Sequence, residues 1–289
     1  MHAWHGKDAR RVPPLILGHE AVGTAKNGPF TGKPVAINPL ISCQSCHYCN
    51  TGAPQLCTTR ELIGMRLPGA FAEQIVVPDR NLSVIDNNLS FANAALAEPL
   101  AVAVRTVRVA IAHTADRDAG IVIIGGGAIG LLCALVLRVY GHSHIRIAEP
   151  NALRRDLLDA LDSGEVFDPV AAPAQDASAD IVIDAVGSGI TRAAGSAIVQ
   201  PGGIMVHVGL QDSEPGLDTR RFTLQDITFT GTYCYRPDDF SEALRLLTAG
   251  AVNGDGWTEI RDLQAGAQAF VDIHQGKAPP KIILATGSG

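Results

Sequence analysis

Residues 121–130 read Ile121-Val122-Ile123-Ile124-Gly125-Gly126-Gly127-Ala128-Ile129-Gly130, and the apolar run Leu131-Leu132-Cys133-Ala134-Leu135 follows directly. Four contiguous aliphatic residues suit a strand buried on both faces, as in a parallel sheet. The glycines form Gly125-x-Gly127-x-x-Gly130 between that strand and a helix. Gly125 allows the tight turn, Gly127 lets a pyrophosphate approach the backbone, and Gly130 lets helix and strand pack closely. The start of the helix adds free N–H groups and a positive dipole end for the phosphates. Glu149 lies 19 residues beyond Gly130, at the end of the next apolar run. A carboxylate there is placed to accept hydrogen bonds from the adenosine ribose and to repel a 2′-phosphate, which favours NAD over NADP. The bland alternative is a glycine turn that merely closes a βαβ unit, with Glu149 solvated. Strand, turn, helix and acid in this order favour the dinucleotide.

Outward from this turn, apolar runs at 144–148, 165–167, 181–183, 204–208 and 227–229 alternate with helical stretches. The alternation predicts an α/β unit, a Rossmann-type doubly wound parallel sheet. Upstream, residues 96–113 read as one Ala/Val/Leu-rich helix. The first 97 residues are rich in turns, with short β-type runs at 35–37 and 74–77. Downstream, a short helix at 240–249 and a polar tail lead to a last strand at 281–285.

The chain has 289 residues, 46% hydrophobic and 18% charged, which is ample for a core and wrong for disorder. A formal net charge of −6 supplies no basic footprint for nucleic acid or an anionic membrane. The uncharged stretch 121–137 is shorter than the roughly 20 residues a membrane span needs, and four glycines interrupt it. No basic-then-apolar leader opens the sequence, so a soluble, cytoplasmic protein is expected.

Four of the six cysteines, Cys43, Cys46, Cys49 and Cys57, form C-x2-C-x2-C-x7-C. Four thiolates at this spacing can wrap one tetrahedral zinc, and the closed sulfur shell leaves no open position for chemistry, so the role is structural. A ferredoxin-type cluster shares the first three ligands, but its spacing to the fourth is shorter and that ligand is followed by Pro, where Thr58 stands here. Two disulfides would need an oxidising compartment. His47 reads as lobe surface and Cys133 as a small core residue.

Together these residues resemble the zinc-dependent medium-chain alcohol and polyol dehydrogenases of the sorbitol and butanediol type. The resemblance covers essentially the whole chain. It runs from Gly18-His19-Glu20 through the four-cysteine lobe and Ala97-Glu98-Pro99-Leu100 to the glycine turn and Glu149-Pro150. It implies a GroES-like β-rich catalytic domain over 1–99, a Rossmann dinucleotide-binding domain over 100–238, and a return to the catalytic domain over 239–289. It further implies a catalytic zinc held by His19 and Glu20, with Glu98 beside the metal, and hydride transfer between a secondary alcohol or polyol and NAD. His2 matches the family histidine that relays the alcohol proton to solvent. Ile129, Glu149 and Arg154 would hold the cofactor, with Val208, Gly209 and Tyr233 approaching its nicotinamide half. Homodimers or homotetramers are implied as well.

The sequence departs from the pattern at one place. The family's first catalytic ligand is a Cys in a C-G-x-D segment five residues before the relay histidine, which here would precede Met1. About forty residues of opening strands are absent with it. Three readings follow: a fragment or misplaced start of a normal enzyme, which the presence of His19, Glu20 and Glu98 favours; a truncated variant with weakened metal; or a zinc-free descendant. For a truncated catalytic domain the expectation is one tightly held zinc in the lobe and weak or empty occupancy at His19. The rivals are a zinc-free quinone-type reductase and a non-catalytic dinucleotide-binding remnant. Several residues carry a second reading. Glu98 before Pro99 also suits a helix start, Glu20 also suits a residue orienting His19, and Arg154 with Arg155 also suits a solvated helix face. His113, His142, His144, His207 and His274 show no ligand spacing.

Overall fold

In a computed structural model, which describes residue 6 and residues 10–287, the chain divides into two compact units. One comprises residues 1–101 and 234–289, the other residues 102–233.

The first unit begins with β1 (Ala21–Thr24) and β2 (Pro34–Ile37), followed by the short pair β3 (Leu40–Ile41) and β4 (Glu61–Leu62). The helical turn α1 (His47–Asn50) lies between the members of that pair, inside the cysteine lobe. β5 (Leu82–Val84) joins β2 to complete an antiparallel sheet of order β1-β2-β5. α2 (Phe91–Ala94) is capped by Ser90, whose hydroxyl accepts the Asn93 amide, and α3 (Ala97–Ile111) starts at the expected Ala97-Glu98-Pro99. Proline suits the first turn of a helix because its missing N–H would have no partner there.

The second unit is built as the aliphatic runs require. Its strands are β6 (Ile121–Ile124), β7 (Ile145–Ala148), β8 (Glu165–Phe167), β9 (Ala179–Asp184), β10 (Val199–His207) and β11 (Thr228–Gly231). They form one parallel sheet in the order β11-β10-β9-β6-β7-β8. Helices α4 (Ala128–Val139), α5 (Ala152–Ala160), α6 (Gly189–Ile198) and α7 (Thr219–Leu224) connect them. β6 is buried along its whole length, which explains why it shows no polar alternation. Cys133 is fully buried in α4, where burial pushes its thiol up to about 12 and leaves it inert.

After Tyr233 the chain returns to the first unit with α8 (Pro237–Thr248), β12 (Thr258–Asp262), α9 (Gly266–His274) and β13 (Lys281–Ala285). β12 and β13 pair in parallel. The expected polar tail thus contains a strand and a helix. β12 reads Thr-Glu-Ile-Arg-Asp, and its polar residues are committed to contacts: Arg261 pairs with Glu259 at 2.7 Å and with Asp272 at 2.6 Å. The expected strand at 74–77 joins no ladder among the described residues, and Val76 is 99% exposed. An apolar run becomes a strand only where a free edge receives it.

Candidate active site

The Gly125–Gly130 turn has the shape its spacing predicts. Gly125 sits at φ 101°, in the left-handed region that favours glycine. A Cβ on Gly130 would lie 1.8 Å from the Gly125 carbonyl oxygen, so only glycine allows α4 to start this close to β6. Gly127 is the N-cap of α4, and a Cβ there would meet nothing within 4 Å. That open face, beside the unpaired amides of a helix start, fits a pyrophosphate.

Glu149 follows β7 and is nearly buried, at 3% exposure. Its Oε2 accepts the Gly126 amide at 2.9 Å and its Oε1 accepts the Asn151 amide at 2.8 Å. A carboxylate offers about four acceptor positions, so two remain for ribose hydroxyls. Arg154 Nη1 lies 3.9 Å from Glu149 Oε2, and its amide is capped by Asn151. Arg155 is no solvated bystander: its Nη1 bonds the carbonyls of Glu149 and Pro150 at 3.0 and 2.7 Å. Ile129 is half-buried in the first turn of α4.

Across the strand-order switch, Asp184 ends β9 with a fully buried carboxylate. Oδ1 accepts the amides of Val186 and Gly187 at 3.0 and 2.8 Å, and Oδ2 accepts Thr191 Oγ1 at 3.1 Å and His207 Nδ1 at 3.0 Å. Four donors offset the loss of hydration. The Asp184 carbonyl in turn holds the amides of Val208 and Gly209, both at 3.0 Å. Thr232 donates its amide to the His207 carbonyl at 3.0 Å, which sets the start of the Thr232-Tyr233 segment. Sequence reasoning misses Asp184, and His207 shows no ligand spacing; an acid closing a buried strand is the available signal.

In the first unit the four lobe sulfurs lie within 4.8 Å of one another. Cys43 to Cys49 is 3.9 Å and Cys46 to Cys49 is 3.6 Å. Both match the edge of a ZnS4 tetrahedron, about 3.8 Å for Zn–S bonds of about 2.3 Å. Amides already point at the sulfurs: Cys46 N donates to Cys43 Sγ at 3.3 Å and Cys43 N to Cys57 Sγ at 3.5 Å. Hydrogen bonds from Ser45, amide and hydroxyl, and from the Cys46 amide pull the Cys43 thiol down to about 5. The Cys49 amide pulls Cys46 down, but burial and the neighbouring thiols push it up to about 11. Four thiols this close cannot all ionise without a cation, and a zinc ion would supply one. His47 is exposed and packs edge-on against Tyr48, apart from the sulfurs.

A second donor group gathers His19, Glu20 and Glu98, again with their ligand atoms within 4.8 Å. His19 is placed by a bonded pair of segments: Gly69 N to the Ile16 carbonyl at 2.7 Å, Phe71 N to Leu17 at 2.9 Å and Ala70 N to Gly18 at 2.9 Å. Glu98 occupies the first turn of α3 and is 6% exposed. Burial pushes its carboxyl up to about 8, while a hydrogen bond from Tyr235 acts the other way. Tyr235 is itself buried, and its hydroxyl also lies 3.3 Å from Asn38 Oδ1. One imidazole and two carboxylates are donors that zinc accepts, and a buried carboxyl without a cation is what such an ion would satisfy. Lys281, at the start of β13, donates its amine to Glu20 Oε2. That contact was not foreseen. His2 lies outside the described residues.

A doubly wound sheet with a fingerprint glycine turn, joined to a thiolate lobe and a His/Glu/Glu group, defines a dinucleotide-dependent metalloenzyme architecture. Comparison with known proteins gives its family. The model "Alcohol dehydrogenase GroES-like domain" matches residues 1–87, and "Zinc-binding dehydrogenase" matches residues 128–249. The 2-dehydro-3-deoxy-L-galactonate 5-dehydrogenase of Pseudoalteromonas atlantica is 30% identical over 269 residues, covering 88% of this chain and 77% of that protein. The probable D-xylulose reductase A of Neosartorya fischeri is 29% identical over 306 residues, covering 98% and 85%. Among solved structures, alcohol dehydrogenase TADH from Thermus sp. ATN1 superposes with a TM-score of 0.89 at 23% identity, covering 99% of this chain and 88% of that one. The chain belongs to the zinc-dependent medium-chain alcohol and polyol dehydrogenases, NAD(P)-dependent oxidoreductases. No helix among the described residues is long and apolar enough to cross a membrane.

Proposed function

We propose that the chain moves hydride between the carbinol carbon of a secondary alcohol or polyol and NAD, with His19, Glu20 and Glu98 holding the catalytic zinc and Cys43, Cys46, Cys49 and Cys57 the structural one. The observation that carries this reading is the convergence of His19, Glu20 and Glu98 within 4.8 Å around a buried carboxyl. Zinc held there would supply Lewis acidity toward the substrate oxygen, and a bound dinucleotide would supply the hydride acceptor.

The chain's own residues do the rest. Glu98 keeps its proton near neutrality and releases it only against a cation, because burial disfavours its charge. Lys281 holds Glu20 through its Oε2. The first amides of α4 hold the pyrophosphate, with Ile129 beside it. The remaining acceptor positions of Glu149 take the ribose hydroxyls, with Arg154 over the adenine side. Val208, Gly209 and Tyr233 line the nicotinamide half, and His2 passes the alcohol proton to solvent. A cytoplasmic homodimer or homotetramer completes the proposal.

The test is NAD reduction across secondary alcohols and sugar alcohols by purified enzyme, with and without chelator, beside His19→Ala. Chelator-sensitive turnover that His19→Ala abolishes is expected. Turnover of activated carbonyls indifferent to both treatments would replace this reading with a zinc-free reductase.

A further inference from the structure

The strand order reverses between β6 and β9: the chain leaves β6 toward β7 on one flank, while β9 and β10 lie on the other. In an open parallel sheet a dinucleotide lies across the carboxyl ends of the strands at that switch. The half of the cofactor beyond the Gly125–Gly130 turn must then run over the segments leaving β9 and β10, residues 185–189 and 208–216. These two segments are fastened to each other in a way the sheet itself does not require.

Arg192, in the first turn of α6, is the fastener, and its side chain is only 11% exposed. Its Nη2 donates to Asp212 Oδ1 at 2.8 Å and to the Glu214 carbonyl, and its Nη1 donates to the Gly187 carbonyl at 3.1 Å. Asp212 Oδ1 also accepts the amides of Gly189 and Glu214, at 3.0 and 3.1 Å. The backbones meet as well: Gln211 N bonds the Val186 carbonyl and Asp212 N the Gly187 carbonyl, both at 3.1 Å. A Cβ on Gly187 would lie 2.1 Å from the Gly209 carbonyl carbon, and one on Gly216 would lie 2.1 Å from the Gly189 carbonyl oxygen. One guanidinium and two glycine crossings therefore fix where Val208, Gly209 and Leu210 stand relative to the end of β9. Removing the guanidinium takes a donor from the carbonyls of Gly187, Asp212 and Glu214 and from the Asp212 carboxylate, and unties the two segments.

We infer that Arg192 is a positioning residue for the nicotinamide half of the bound dinucleotide, acting through the Val208–Leu210 backbone. The inference rests on the dinucleotide reading above and adds a residue to it. It is tested by measuring NADH and ADP affinity of the full-length enzyme by fluorescence and calorimetry, for the unaltered chain, Arg192→Ala, Arg192→Lys and Asp212→Asn. ADP reports the adenine half alone. The expected result is NADH binding weakened roughly ten-fold in Arg192→Ala, less in Arg192→Lys and Asp212→Asn, with ADP binding within about two-fold throughout. Equal loss of NADH and ADP affinity, or no loss of either, overturns the inference. If Arg192→Ala fails to fold, Asp212→Asn, which keeps the side chain's size, decides by the same comparison. An unaltered enzyme that binds neither ligand would sink the dinucleotide reading, and this inference with it.

Discussion

Glu149 Oε2 accepts the amide proton of Gly126 at 2.9 Å, so the carboxylate after β7 braces the middle of the glycine turn after β6. Two features that the sequence separates by more than twenty positions are thus one device. Its conformation is set before any cofactor arrives.

Glu149→Ala should therefore act on cofactor choice and on stability together. The expected change is a rise of about ten-fold in KM for NAD and a collapse of the NAD-over-NADP preference, from loss of ribose hydrogen bonds and of repulsion toward a 2′-phosphate. Stability should fall by about 1–3 kcal/mol, because the Gly126 amide loses its partner. Steady-state kinetics with both cofactors and thermal melts measure these. An unchanged preference ratio would place the carboxylate away from the ribose.

The lobe should hold zinc more tightly than the His19 group. Four thiolates with amides already aimed at them are a stronger donor set than one imidazole and two carboxylates, one of which Lys281 already engages. Metal analysis after mild chelation should find about one zinc per chain, and Cys46→Ser should abolish it and lower the melting temperature. Two zinc ions surviving equally would contradict this ranking.

Glu98 sets a pH dependence in metal-free protein. Its folded-state pKa is raised to about 8, so between the ordinary carboxyl range and pH 8 the folded chain binds a proton that the unfolded chain releases. Stability therefore declines as pH rises through that window. Glu98→Gln should remove the decline and raise the melting temperature of the metal-free protein at pH 8 by at least about 2 °C, while abolishing turnover. Melts of the two proteins at pH 5 and pH 8, after chelation, are the measurement.

His142 sets the opposite dependence. It is nearly buried, its Nδ1 has no hydrogen-bond partner, and burial, with the nearby Arg117 charge, lowers its pKa. Below about pH 6.5 the unfolded chain takes up a proton that the folded chain refuses, so stability is lost as pH falls. His142→Leu should flatten the melting temperature between pH 7 and pH 5. A profile identical to the unaltered chain would assign that acid sensitivity elsewhere.

The second unit was largely legible because its determinants are local. Val122 and Ile123 announce a strand buried on both faces, and Gly130 marks a crossing that excludes any side chain. The cysteine lobe was legible for the same reason, since its four ligands fall within fifteen residues. What escaped was made by distant pairs. Glu20 meets Lys281 across 261 positions, and Arg192 meets Asp212 only because two strand ends lie side by side. β12 escaped because its charges are spent on one another, so its composition resembles a solvated loop. The run at 74–77 misled because periodicity reports a strand's willingness to pair and says nothing of an available edge.

The fifteen residues from Cys43 to Cys57 bury few side chains and take their shape from sulfur geometry, whereas the sheet of the second unit is held by contiguous aliphatic side chains that need no ion. Zinc removal is therefore expected to loosen the lobe and to leave the sheet intact, so that limited proteolysis of chelated protein should cut first between Cys43 and Cys57.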